Sequence, residues 1–111
     1  MFNQEWEINY YQAPNGFTPF RDWFETLRDH TAKAVIDARL IRLRIGNLGH
    51  CAALGSGLYE LKINYGPGYR IYFGKASQKL ILLLCGGNKS TQARDIQIAH
   101  RYWKDFKENS R

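Results

Sequence analysis

Lys62 and Arg70 stand on either side of Asn64-Tyr65-Gly66-Pro67-Gly68, a stretch with the composition of a hairpin loop. The flanking residues alternate. Tyr59, Leu61 and Ile63 share one face of the first strand, and Tyr69, Ile71 and Phe73 share one face of the second. Successive strand side chains point to opposite faces, so Glu60, Lys62, Arg70 and Tyr72 fall together on the other side. Two cations set opposite each other repel unless an anion lies between them. Glu60 is one such anion, which would make the group an ordinary surface ion pair. An incoming phosphate is the other. Lys89 follows the next apolar run and lies toward the same end of the sheet. Three cations around an aromatic ring suit backbone phosphates and stacked bases, so a phosphate site is the sharper expectation.

Other chemistries are poorly served. Cys51 and Cys85 are the two cysteines, with no CxxC spacing, and His30, His50 and His100 form no metal-ligand pattern. No cofactor and no metal is expected. His50 and Cys51 are adjacent, and adjacent residues on one chain seldom bring a base and a nucleophile to one point. Cys85-Gly86-Gly87-Asn88-Lys89-Ser90 looks like the end of a phosphate-binding loop. The required glycines are replaced by Leu83 and Asn88, and the motif fails.

The elements that must position these residues can be read in order. Glu5–Tyr11 alternates as a strand, and Ala13-Pro14-Asn15-Gly16 is a turn. Thr18-Pro19 reads as an N-cap followed by Pro at the first helical position, opening a helix to about Asp29. Thr31 can cap a second helix with Val35, Ile36, Leu40 and Leu43 on its apolar line. Gly46 and Gly49 stop it. After the two middle strands and a turn at Lys75–Gln78, Lys79–Cys85 is apolar on both faces, as a central strand would be. Gly86-Gly87-Asn88 leaves that strand, and Ser90 or Thr91 caps a last helix. The order is β-α-α-β-β-β-α in a single domain over 1–111. The class is α+β, with two early helices on one face of a mainly antiparallel sheet.

The chain of 111 residues has a formal net charge of +6 and is 44% apolar, which excludes a disordered chain or a rod. Residues 62–111 hold ten basic groups against three acidic ones. An excess of that kind suits a polyanion. The longest apolar run, Leu80–Cys85, is far too short to span a bilayer, and the N-terminus has no secretory pattern. A cytoplasmic protein without membrane contact is therefore expected.

The strings GLYELKINYGPGYRIYF (57–73), KLILLLCGGNKSTQARDIQIA (79–99) and RLRIGNLG (42–49) resemble the RelE/ParE toxin superfamily, in its HigB-like branch of addiction-module killer proteins. The resemblance covers nearly the whole chain. It implies the RelE-like fold, a curved antiparallel sheet with two helices on one side and a C-terminal helix. It also implies the toxin of a type II toxin-antitoxin system, held by a helix-turn-helix antitoxin whose complex represses its own promoter DNA. RelE-type members cut mRNA on the ribosome without metal. The 2′-hydroxyl attacks the adjacent phosphate and leaves a 2′,3′-cyclic end. ParE-type members use the same fold against DNA gyrase, and a degenerate member that only binds its antitoxin is a third reading.

Carried over by position, Lys62 matches a basic residue of the second strand, Arg70 the Arg of the GYR string, and Lys89 the basic residue past the central strand. The resemblance thus implies Arg70 and Lys89 as phosphate stabilisers, Lys62 or Glu60 as the group assisting proton removal, and Tyr72, Thr91 and Arg94 as RNA contacts. Glu60 stands where the RelE enzyme has a second lysine, and its C-terminal stacking Tyr has no counterpart near Asp95 and Ile96.

Overall fold

The computed structural model describes residues 5–76 and 79–109. The chain runs β1 (Glu7–Tyr10), α1 (Pro19–Thr26), α2 (His30–Arg44), β2 (Cys51–Gly55), β3 (Leu58–Ile63), β4 (Tyr69–Ala76), β5 (Leu80–Asn88), a short 3-10 turn (Lys89–Thr91) and α3 (Gln92–Asn109). It is an α+β fold with a mixed sheet of five strands in the order β1-β5-β4-β3-β2. Ser77 and Gln78, half of the expected turn, lie outside the described residues, as do residues 1–4 of the N-terminal stretch read for an export signal.

Period-two sorting holds through β3 and β4. Leu61, Ile63, Tyr69, Ile71 and Phe73 pack with Phe20 of α1 and Ala32, Ile36 and Leu43 of α2. Leu58 and Tyr72 pack on the other face with Leu82, Leu84, Ala99 and Trp103. The expected pair of early helices on one face is therefore found, and α3 covers the other.

A β-bulge in β5 makes the second packing possible. Tyr72 pairs with Cys85 while Phe73 pairs with Leu83, so Leu84 is an extra residue. Leu84 and Cys85, neighbours in sequence, consequently both join the core beneath α3.

Four expectations are corrected. The sheet is mainly antiparallel, as read from the residues, but not the antiparallel sheet that the resemblance implies, because β1 pairs parallel with β5 through Glu7–Leu80 to Tyr10–Leu83. An additional strand, β2, pairs antiparallel with β3. β5 does not end at Cys85 but runs on to Asn88. The cap of α2 is Asp29, whose carboxylate accepts from the Thr31 and Ala32 amides at 2.9 and 3.2 Å. Asp29 also accepts from the Tyr65 hydroxyl at 3.1 Å, which ties the β3–β4 loop to the start of α2.

No helix among the described residues is long and apolar enough to cross a membrane.

Candidate functional site

Lys62 lies directly opposite Arg70 in the β3–β4 ladder, and Glu60 lies opposite Tyr72. The four residues do share one sheet face. Their exposure separates them. Lys62 and Lys89 are exposed, whereas Arg70 is 8%, Glu60 2% and Tyr72 0% exposed. The difference is made by α3, whose first residue, Gln92, reaches over the sheet.

Glu60 is thereby enclosed. Its Oε2 accepts from the Tyr72 hydroxyl at 2.9 Å and from Gln92 Nε2 at 2.8 Å, and it lies 3.9 Å from Arg70 Nε. Burial, then the hydrogen bond to Glu60, pushes the Tyr72 hydroxyl far up from its usual value, so it stays a donor. Two expectations change. Tyr72 has no exposed ring face on which a base can stack. Glu60, with its oxygen engaged from two sides, orients Arg70 instead of standing ready as a base for substrate.

Arg70 is held from its other side by the loop. Its Nη1 donates to Gly68 O at 3.0 Å and to Tyr69 O at 3.5 Å. Its Nε is the one buried side-chain nitrogen or oxygen without a hydrogen-bond partner among the described residues. Its neighbour there is the Glu60 carboxylate, at ion-pair and not hydrogen-bond distance. Arg70 also lines a cleft of about 380 Å³ with Lys89 and the loop residues Asn64, Tyr65, Gly66, Pro67 and Gly68. Gly68 has φ +79°. A Cβ there would lie 3.3 Å from Arg70 Nη1 and 3.5 Å from Lys89 Cβ. Its glycine keeps the space between the two cations open.

Lys89 owes its place to a cap. The Asn88 side chain accepts from Ser90 N at 2.9 Å, and Asn88 N donates to Thr91 Oγ1 at 3.2 Å, a capping box across the 3-10 turn. The Thr91 hydroxyl donates to the buried Asp95 carboxylate. Thr91, expected as an RNA contact, is thus used in the turn. Arg94 is exposed and ion-paired to Asp95 at 3.6 Å, on the helical turn next to the cleft. Among the described residues Lys62 and Lys89 make no side-chain hydrogen bond or ion pair.

Sequence reasoning missed Gln92 and Asn88. Asn88 carries a legible capping pattern. Nothing in a one-dimensional pattern links Gln92 to Glu60 across the fold. His50 is exposed, and its carbonyl accepts from Lys62 N at 2.9 Å, so it borders the site in the ladder. The Cys51 thiol donates to Leu48 O, and burial pushes it up to about 11, which leaves a poor nucleophile. Among the described residues no three His, Cys, Asp or Glu converge on a point that could hold a metal ion.

No family model matches the chain. Over 80 residues it is 45% identical to a protein of Haemophilus influenzae described as an uncharacterized protein, across 72% of this chain and 81% of that one. Identity at that level over most of both chains places this protein in the same family as the Haemophilus influenzae protein.

Proposed function

We propose that the protein is the toxin of a type II toxin-antitoxin system and cuts mRNA on the ribosome without metal. In this reading the fold is the RelE-like one, with β2 added at the sheet edge. The observation that carries the reading is the cleft between the Gly-Pro-Gly loop and Lys89, lined by Arg70, whose guanidinium is held by Gly68 O and set against Glu60. A phosphodiester is the ligand such a cleft suits. It brings charge to Arg70 and Lys89 and fits beside an open glycine backbone.

The reaction needs little more than placed charge. The 2′-oxygen bonds to phosphorus as its proton passes to water, the bond from phosphorus to the 5′-oxygen breaks, and the 5′-oxygen takes a proton from water. The products are a 2′,3′-cyclic phosphate and a 5′-hydroxyl. Arg70 and Lys89 stabilise the pentacoordinate phosphorane, and Lys62, exposed opposite Arg70, stabilises the departing oxygen. A helix-turn-helix antitoxin holds the toxin between these events, and promoter DNA is met through that complex.

A second reading, a domain that binds RNA or its antitoxin without cutting, is favoured by one observation. Glu60 and Asp95 are buried and engaged, and among the described residues no acidic side chain lines the cleft to act as a base. A gyrase poison has no comparable support on this face.

Lys89 is the residue on which to test the reading, because it is exposed and its removal leaves no buried charge. Lys89→Ala is expected to lower cleavage of ribosome-bound mRNA about 10²–10³-fold, mapped by primer extension. Arg70→Lys should lose activity too, since a lysine lacks the fork. Wild-type cleavage by both variants would overturn the assignment. Intact mRNA with the wild-type protein would favour the binding reading.

A further inference from the structure

Helix α2 is apolar on two sides. Ala32, Ile36 and Leu43 are buried against the sheet. On the outside, Ala34, Ala38 and Ile41 of the helix and Ile45 at its C-cap are all exposed, Ile41 and Ile45 each to 57%. These four fall at i, i+4, i+7 and i+11, the spacing of a helix–helix seam. An apolar stripe on a helix is ordinarily covered, and this outer one has nothing on it within the described residues.

We infer that the cover is a second copy of this chain, its α2 running antiparallel to the first. The sequence of the seam is complementary to itself in that direction and in one register. Ala34 then meets Ile45 of the partner copy, and Ala38 meets Ile41, each twice, so that every large residue faces a small one. The charged flank agrees. Asp37 and Arg44 are seven residues apart, on the same side of the seam, and together line a groove of about 390 Å³ with Ile8, Tyr10 and Ile41. In an antiparallel pair, residues on one flank face the same flank of the partner. Asp37 therefore approaches Arg44 of the second copy, and the two-fold repeats the pair. Neither residue makes an ion pair among the described residues. A parallel pairing would set Asp37 beside Asp37 and Arg44 beside Arg44, and like charges disfavour it.

The seam is short. Two helices of this length cover less than the roughly 800 Å² per partner of a standard stable interface, so the dimer is reversible and concentration-dependent.

Sedimentation of the purified full chain over a concentration series reads the dimer, and paired variants read its register. Asp37→Arg should raise the dissociation constant at least about tenfold, and Asp37→Arg combined with Arg44→Asp should restore it, because the exposed pair is only exchanged. Mixing A34C protein with I45C protein under mild oxidation should give a disulfide-linked dimer above the level of the parent chain. A34C alone should not, since the two Ala34 positions lie eleven residues apart along the paired axes, about 16 Å. A monomer at every concentration overturns the proposal, and so does a charge exchange that fails to restore association. Equal crosslinking by A34C alone overturns the register. A face that serves a different protein gives the first of these results.

Discussion

Tyr72→Phe removes one hydroxyl and leaves its ring, which packs beneath α3, in place. What it takes away is a donor to Glu60, a carboxylate 2% exposed that keeps Gln92 as its remaining close hydrogen-bond donor. Leaving a buried acceptor short of a partner costs about 1–3 kcal/mol. The expected outcome is a loss of that size in urea unfolding, with an unchanged slope, together with lower activity through a looser Arg70. Glu60→Ala should cost more, because Arg70 would keep a buried charge with no counter-ion. Wild-type stability of Tyr72→Phe would show that the hydroxyl does not hold the carboxylate. At this scale the sequence was informative about which residues share a face and silent about which of them see solvent. Alternation gives direction. Exposure of Tyr72 and Glu60 is decided by α3, which arrives from the far end of the chain.

The elements of the site meet where β5 ends. Gly87 lies opposite Arg70 in the ladder, and a Cβ there would collide with Asp95 Oδ2 and lie 2.8 Å from Thr91 Oγ1. Gly87→Ala must therefore push the start of α3 outward. A destabilisation of about 1–3 kcal/mol is expected, with weaker binding of the proposed RNA ligand at Lys89, read by thermal melting and by a filter-binding titration. An alanine variant as stable as wild type would mean that the helix start yields freely. The long elements were legible because apolar residues recur at fixed intervals, as in β3, β4 and α3. β2 was not. Cys51-Ala52-Ala53-Leu54-Gly55 has no β-branched or aromatic residue, and it is a strand because β3 supplies the pairing. The parallel seat of β1 was hidden for a related reason. Alternation says that a segment is extended and leaves its neighbour and direction open. The cap of α2 was placed two residues late, at Thr31, where Asp29 offers the better acceptor and a second partner in Tyr65.

The molecule as a whole carries an alkaline liability. Burial pushes Cys85 up to about 12 and Cys51 up to about 11 from an ordinary 9.0, and it raises Tyr72 and Tyr11, each of which also donates to a carboxylate. The folded chain therefore holds protons that the unfolded chain releases. Stability from these groups is complete below pH 9 and is lost as pH rises toward their folded values. The urea midpoint should fall steadily between about pH 9 and 11, and Cys51→Ala should make the fall shallower. A flat midpoint over that range would contradict the burial of these thiols and phenols. The parallel pairing of β1 with β5 has a consequence in time. A growing chain emerges from its N-terminus, and Glu7 cannot find Leu80 until β5 has left the ribosome. Sheet closure therefore waits for β5, and the α3 cover comes after it. For a protein proposed to attack translation, the ribosome that makes it meets no assembled site until both have emerged.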